Sequence, residues 1–388
     1  MKKWCISFII IAMLIASGCV GEKAQQKAED IKIGVLITYT GGLAQFGEAM
    51  ANGAKLAAQE INKAGGINGK NITLILEDTG TDPAKAAEAA KKLIDVDNVQ
   101  VIIGAVSSSE TLAVANYSER LKVVLISPSS TAPSLTNAGD YVFRVVGSDN
   151  LQGDAIAQLA MAKNFTKAAA LVENNDYGIG LENVFKEKFN GTIVKSIHYE
   201  KGKADYRTEL DTIKKAVPDV IIYVGYPAEA SSILQQTKQL GLKTNWIAAE
   251  GIADPGIFQN PEVASQMEGM LLTKPSSPEQ SPEYQNFLKL YRAAYGKDPG
   301  IYSDTEFDAV TLAALAIKEA GNDGEKIKNA LPAVSRKYKA VTGDKSFDEN
   351  GDVPQDYTIL EVVNKTMVPI GSWNPATGIK LIIFSPRD

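Results

Sequence analysis

Short apolar runs alternate with amphipathic stretches along the chain from Ile31 onward. Apolar runs of strand length, each followed by a helical period, predict parallel strands covered by helices on both faces. The first series of predicted strands is IKIGVLI, ITLILED, VQVIIGAV, KVVLISP and YVFRVV. A helix is predicted from about Gln45 to Lys63, and Asp82-Pro83 predicts the next helix start as an N-cap and N1 pair. The pattern therefore predicts an α/β fold.

The same pattern starts again further along the chain, which predicts a second Rossmann-like lobe. Its predicted strands are KAAALV, TIVKSIHY, DVIIYVG and TNWIAAEG. After GMLLTKP we expect helices at roughly 282–295, 302–320 and 325–331, and then an antiparallel set formed by YTILEVVN, MVPIGSW and IKLIIF. Crossovers near Val146, Thr273 and Tyr357 would form a three-strand hinge, with a cleft between the lobes.

Residues 1–19 have the features of a lipoprotein signal peptide. Lys2 and Lys3 precede an apolar run that is too short to span a bilayer, and Ser17-Gly18 leads to Cys19 as in a lipobox. This predicts lipidation of Cys19 and an extracytoplasmic protein anchored to the cell membrane, with a plain secreted protein as the alternative. Residues 20–30 are polar and predict a flexible tether.

Composition excludes several kinds of chemistry. Cys5 would leave with the signal peptide, so Cys19 is the one cysteine of the mature chain, and His198 is the only histidine. A disulfide, a cysteine metal site and a histidine-dependent triad or metal cluster are therefore excluded. The net charge of −6 does not favour a nucleic-acid partner. We predict no cofactor and no metal.

Two hydroxyl-rich clusters, residues 107–109 and 127–131, follow predicted strands. Ligands of open α/β sheets bind outside such strand ends, and hydroxyls beside free backbone N–H groups suit a small anion. Ser107 and Thr131 are therefore predicted to hold a carboxylate. For either cluster alone, capping of the following helix is the alternative.

Other side chains at predicted strand ends would face the same cleft. Glu250 can pair with an ammonium group. Four aromatic rings could form walls around a ligand side chain, namely those of Phe46, Tyr177, Tyr226 and Tyr302. Each residue also has a simpler explanation, since a loop acid is usually solvated and a tyrosine is often a core residue. Gly41-Gly42 lacks a phosphate-binding pattern and favours a flexible turn.

The sequence resembles the solute-binding proteins of the leucine/isoleucine/valine-binding type, which serve branched-chain amino acid ABC transporters. The matching stretches cover nearly the whole mature chain, in order: GGLAQFGEAMANGAKLAAQEINKAGGINGK, GAVSSSET, LISPSSTAPSLT, VFRVVGSDNLQG, NNDYGIGL, AEGIADP, GMLLTKP and FDENGDV. The resemblance implies a periplasmic-binding-protein type I fold that closes on its ligand like a flytrap. It also implies a first lobe of residues 31–146 and 273–356, and a second lobe of residues 147–272 and 357–388.

The resemblance implies roles for individual residues as well. The carboxylate and amine of an amino acid would be held by Ser107, Ser129 and Thr131, the second partly through its backbone, while Glu250 stands at the position of the ammonium partner. The expected ligand-contacting wall consists of Val106, Tyr177, Tyr226 and Tyr302.

The sequence departs from its relatives at two places near this site. Phe46 replaces a tyrosine of close relatives, so one hydroxyl contact is lost. Ser303, Asp304 and Glu306 are more polar than the matching stretch of branched-chain binders, which leaves the preferred ligand side chain open.

The expectation is a monomeric binding protein, not an enzyme. It would capture a branched-chain or other apolar or aromatic amino acid and deliver it to a membrane-embedded ABC permease. The alternatives are a ligand-sensing ectodomain, or a binding protein for small amides, urea or carboxylates. A hydrolase would need a base near Ser107, and His198 lies far away in a strand-like run with no evident partner.

Overall fold

The computed structural model describes residues 29–382 and forms two α/β lobes. The predicted signal peptide, Cys19 and most of the predicted tether lie outside the described residues. The first lobe is built on a parallel sheet with strand order β2-β1-β3-β4-β5. Its strands are β1 (Ile31–Ile37), β2 (Ile72–Asp78), β3 (Val101–Ile103), β4 (Val124–Ser127) and β5 (Val142–Arg144).

The helices between these strands are α1 (Ala44–Lys63), α2 (Pro83–Asp95) and α3 (Ser108–Leu121). The predicted N-cap of α2 is confirmed, since the Asp82 carboxylate accepts hydrogen bonds from the backbone N–H groups of Ala84 and Lys85. A 3₁₀ turn, Pro133–Asn137, follows β4.

The second lobe repeats the construction around a larger mixed sheet. The strand order is β13-β12-β11-β10-β9-β8-β6-β7. The strands before the last crossover are β6 (Lys167–Glu173), β7 (Thr192–Tyr199), β8 (Val220–Val224), β9 (Asn245–Ala248) and β10 (Leu271–Pro275). The helices are α4 (Asp149–Ala162), α5 (Asp176–Lys188), α6 (Arg207–Ala216), α7 (Pro227–Leu240) and α8 (Pro261–Met267).

The C-terminal segments are divided between the lobes. Three helices follow β10, namely α9 (Pro282–Tyr295), α10 (Ser303–Ala320) and α11 (Gly324–Ser335). Buried residues of α10 and α11 share one core with β1, β3 and β4 of the first sheet. The last strands, β11 (Tyr357–Val363), β12 (Thr366–Asn374) and β13 (Gly378–Leu381), pair antiparallel and extend the second sheet.

Helix α9 has the predicted bounds, but α11 is longer than predicted. The prediction ended at about Leu331, whereas the helix continues through Pro332 to Ser335. The Ser335 hydroxyl accepts a hydrogen bond from the backbone N–H of Phe347 at 3.1 Å. This long-range contact holds the last turn, and a local hydrophobic pattern does not reveal it.

The crossovers contact one another where the lobes meet. The Gln355 side chain donates to the backbone oxygen of Ser276 at 3.0 Å, and the Ser276 N–H donates to the backbone oxygen of Asp356 at 2.8 Å. A Cβ atom added at Gly147 would lie 2.3 Å from Gln355 Cβ, so glycine is required at that position. The hinge is therefore a packed unit.

Among residues 29–382, no helix has both the length and the apolar character needed to cross a membrane. Within the same residues, no group of three or more His, Cys, Asp or Glu side chains is arranged to hold a metal ion.

Glu306 of α10 is buried without a visible compensating contact. It is 1 % exposed, and neither carboxyl oxygen has a hydrogen-bond partner among the described residues. Burial raises the pKa of Glu306 well above its usual value, which favours the protonated form in the folded protein. A carboxyl group with a raised pKa binds its proton more tightly in the folded protein than in the unfolded chain. The resulting stability is fully present below the pKa of the unfolded chain and is lost as pH rises through the pKa of the folded state.

Replacing Glu306 with methionine is expected to stabilise the protein, because an unsatisfied buried polar group costs about 1–3 kcal/mol. Urea unfolding at pH 7 should show a higher midpoint for Glu306→Met, and a weaker loss of stability with rising pH. Glu319→Met, at an exposed position of the same helix, is the matched control and should change little. A lower midpoint for Glu306→Met would contradict this reasoning.

Candidate functional site

A small cavity lies between the two lobes at the carboxyl ends of their strands. Its volume is about 20 Å³, and both lobes line it. The lining residues are Leu43, Phe46, Val106, Ser108, Ser129, Thr131, Tyr177, Tyr226, Glu250, Gly251 and Tyr302. A space of this size holds roughly one water molecule. The lobes must therefore move apart to admit a larger molecule.

Polar contacts join the lobes at the rim of this cavity. The Ser109 hydroxyl donates to Asp176 Oδ2 at 2.5 Å, which joins the first turns of α3 and α5. The Lys201 ammonium donates to the backbone oxygen of Thr81 at 3.2 Å. The lobes are therefore closed on each other in the described conformation. Contacts outside the cavity, as well as those within it, hold the two lobes together.

Eight of the nine predicted site residues line the cavity, and Ser107 is the exception. Ser107 is the N-cap of α3 and forms a capping box with Glu110. Its hydroxyl and its N–H both donate to Glu110 Oε2, at 2.6 and 3.0 Å. The next residue, Ser108, lines the cavity instead. Since the first N–H groups of a helix have no partner within the helix, the α3 N-terminus still favours an anion here.

The second hydroxyl cluster makes internal hydrogen bonds. The Ser129 hydroxyl donates to the backbone oxygen of Val106 at 2.7 Å. The Thr131 hydroxyl donates to Asp149 Oδ2 at 2.9 Å. These contacts hold both side chains in defined orientations at the cavity wall.

Glu250 and Asp149 are a pair of buried acids of the second lobe whose charges interact; Glu250 lines the cavity, and Asp149 accepts a hydrogen bond from Thr131 of the cavity wall. Their exposed fractions are 2 % and 0 %, and Glu250 Oε2 and Asp149 Oδ1 lack hydrogen-bond partners among the described residues. Burial raises the pKa of Glu250 to about 7, while Gln152 and Tyr177 oppose the shift. Burial and then the Glu250 charge raise the pKa of Asp149 well above its usual value, against the Thr131 hydroxyl and Arg144.

This pair favours a cation. Two buried carboxyl groups with one free oxygen each are costly to ionise without a positive partner. An ammonium group that reached both free oxygens would supply that partner through charge-assisted hydrogen bonds.

Aromatic rings form the rest of the cavity wall. Tyr177 and Tyr226 of the second lobe stack with their centroids 5.5 Å apart and an interplanar angle of 21°. Phe46 and Tyr302 of the first lobe meet edge to face at 6.1 Å and 87°. Tyr302 has a φ of +62°, a conformation that is costly for a bulky residue and is often found at functional sites.

Sequence reasoning missed three residues that line the cavity, Leu43, Ser108 and Gly251, and also missed Asp149, which is bound to Thr131 of the wall. Asp149 follows Ser148, the N-cap of α4, and an acid in the first turn of a helix is too common to indicate a ligand. Gly251 donates its N–H to the Tyr177 hydroxyl at 3.3 Å, and an added Cβ would lie 2.4 Å from the backbone oxygen of Gly225. Neither contact is visible in the sequence.

The single histidine lies away from the cavity. His198 Nε2 is 2.6 Å from Glu182 Oε2, and neither residue is among those that line the cavity. The cavity serines therefore have no histidine beside them to act as a base. The arrangement offers anion, cation and aromatic contacts, which is a binding chemistry.

Comparison with known proteins gives consistent matches over most of the chain. The sequence profile of the family described as "Periplasmic binding protein" matches residues 30–366. A "Leucine-, isoleucine-, valine-, threonine-, and alanine-binding protein" of Pseudomonas aeruginosa is 33% identical over 341 residues, which cover 86% of this chain and 90% of that protein.

Two solved structures are similar throughout. A leucine-binding protein LivK from Thermotoga maritima has a TM-score of 0.82 and 31% identity, covering 89% of this chain and 99% of the other. The branched-chain amino acid transporter substrate-binding protein LivJ from Streptococcus pneumoniae, in complex with isoleucine, has a TM-score of 0.80 and 30% identity, covering 87% and 98%.

Proposed function

Since the chain belongs to the periplasmic binding protein family, we propose that it is the extracytoplasmic solute-binding component of an ABC importer. Its ligand is an amino acid, bound between the lobes and delivered to a membrane-embedded permease. The observation that carries this proposal is the buried acid Glu250 in the wall of a cavity that also receives the N-terminus of α3, with a second buried acid, Asp149, bound to Thr131 of the same wall. These two features match the two charged ends of a zwitterion.

Binding follows from a difference in stability between an open and a closed arrangement of the lobes. In the open form, water solvates the polar groups of both lobes. A bound amino acid contacts Ser129 and Thr131 of the first lobe and Glu250 of the second, so it stabilises the closed form. The packed hinge at Gly147 and Gln355 guides this motion.

The ligand side chain is branched-chain or otherwise apolar or aromatic. The stacked pair Tyr177–Tyr226 and the pair Phe46–Tyr302 support this choice, because four rings make the greater part of the side-chain wall. The names of the relatives from Pseudomonas and Thermotoga, and the isoleucine complex from Streptococcus, support it as well. The protein acts as a monomer without catalysis, and Cys19, which lies outside the described residues, anchors it to the membrane.

A thermal-shift screen tests this function. The probes are the twenty amino acids, small amides, urea, L-leucine without its amine (4-methylpentanoate) and L-leucine without its carboxylate (isoamylamine). We expect the largest shift from an apolar or aromatic amino acid, because a ligand at 100 times its Kd stabilises by about 2.7 kcal/mol. Both truncated probes should fail at the same concentration.

The outcome separates this function from its alternatives. A larger shift with 4-methylpentanoate than with L-leucine would indicate a carboxylate-binding protein. A shift with urea or an amide alone would indicate a different ligand class and would overturn the assignment of Glu250.

A further inference from the structure

Arg144, the last residue of β5, lies beneath the cavity wall and makes five hydrogen bonds. Its Nη1 donates to the backbone oxygens of Thr131 and Ala132 at 2.8 and 2.9 Å. Its Nη2 donates to Thr136 Oγ1 and Asp352 Oδ2 at 2.9 and 3.0 Å, and its Nε to Asp352 Oδ1 at 2.6 Å. The side chain is 2 % exposed, so all five donors of a buried guanidinium are satisfied within the protein.

One residue, Thr131, links Arg144 to Asp149 through hydrogen bonds. The backbone oxygen of Thr131 accepts from Arg144 and also from the Asp149 N–H, at 2.8 Å in both cases. The Thr131 hydroxyl in turn donates to Asp149 Oδ2 at 2.9 Å. Arg144 therefore holds the residue that orients both the backbone and the carboxylate of Asp149.

Among the described residues, Arg144 is the positive group whose charge acts on Asp149. The charge of Arg144 lowers the pKa of Asp149, while burial and Glu250 raise it. The titratable groups that interact with Asp149 are Arg144, Tyr177, Tyr226, Glu250, Tyr302 and Tyr357. Apart from Arg144, all of them are acids or phenols.

We infer that Arg144 is a positioning residue for the amine end of the ligand site, because it holds Thr131, whose backbone oxygen and hydroxyl in turn hold Asp149. This inference rests on the proposed function, since it concerns the ammonium group of the ligand. Arg144 contacts no cavity surface itself, so its effect is indirect and differs from that of a ligand-contacting residue.

The first test is made on the ligand-free protein. In Arg144→Gln/Asp352→Asn, the buried pair is replaced by two neutral side chains of similar shape, which avoids an uncompensated buried charge. Carboxyl ¹³C NMR against pH should show a higher titration midpoint for Asp149 in this double variant. Asp352→Asn alone, which keeps the arginine charge, should not raise the midpoint, and Arg144→Lys should restore it towards wild type despite lower stability. An unchanged midpoint in the double variant overturns the inference.

The second test measures binding at pH 7 by calorimetry. The double variant should lose about tenfold or more in affinity for L-leucine, since one pKa unit corresponds to a factor of ten. Its affinity for 4-methylpentanoate, which has no amine and is titrated at the higher concentration that this weaker probe needs, should be unchanged. Equal losses for both probes would mean that Arg144 has a structural role only, and would overturn the inference. If the Asp149 midpoint rises but wild type binds no amino acid, the proposed function fails and the role of Arg144 towards Asp149 stands.

Discussion

The Glu250→Gln variant is expected to lose between roughly 10² and 10⁴ of its affinity for L-leucine. Glutamine keeps the size of the side chain but cannot neutralise the ammonium group of the ligand. Removing one partner of a buried ion pair costs about 3–5 kcal/mol, because the other charge stays buried without compensation. Calorimetric titration of wild type and variant at pH 8, where the Glu250 carboxyl is ionised, measures the difference.

The ligand-free variant should not be less stable than wild type. The pKa of Glu250 is about 7 in the fold against a usual value of 4.5, so wild type loses stability as pH rises from 4.5 to about 7. Glu250→Gln lacks this loss, and its melting temperature at pH 8 should be equal or higher. Wild-type affinity in the variant would show that residue 250 does not contact an amine.

Glu173→Gln provides a matched control for this experiment. Glu173 is 4 % exposed, it lies in the same lobe, and burial raises its pKa to about 7 as well. It does not line the cavity. Its replacement should therefore leave leucine affinity unchanged, and a loss similar to that of Glu250→Gln would mean that any buried acid of this lobe gives the same result.

Amino-acid affinity is expected to fall as pH decreases through about 7. In the ligand-free protein, Glu250 holds a proton below that pH. The ammonium group of the ligand binds the ionised form, so binding must displace the proton. One displaced proton reduces affinity about tenfold for each pH unit below 7, and the dependence should level off above it.

Proton release gives an independent measure of the same linkage. Calorimetric enthalpies of L-leucine binding at pH 7, compared in phosphate and Tris buffers, report the number of protons released. We expect a fraction of one proton for wild type and for Glu173→Gln, and a smaller number for Glu250→Gln. A flat affinity profile from pH 5 to pH 8 would refute the coupling between the acid pair and the ligand.

Local patterns determined most of the secondary structure. Helix α9 was predicted with its observed bounds, and Asp82-Pro83 was correctly predicted as the start of α2, because caps and apolar periods act within a few residues. The predicted end of α11 was too early, because a contact between Ser335 and Phe347 holds the last turn of the helix. Such a contact joins segments that the local pattern treats separately.

The role of Ser107 shows where a local signal was present but was given too little weight. Ser107 and Glu110 have the spacing of a capping box, in which each side chain binds the backbone N–H of the other. That motif favours a structural role for the Ser107 hydroxyl, and in the structure this hydroxyl donates a hydrogen bond to Glu110. Its role in holding a ligand stays a prediction, as do those of the eight predicted residues that line the cavity.

The sequence by itself determined the α/β class, the repeated strand–helix series and the kinds of side chain at the strand ends. Each depends on neighbouring residues, since hydrophobic periods, caps and turns are short-range properties. The tertiary structure alone decided that the charges of the buried acids Asp149 and Glu250 interact and that Arg144 donates to Thr131. In each pair the two residues belong to different elements of one lobe and meet only when that lobe folds. Their charge states follow from burial and from one another, which no single stretch of sequence contains.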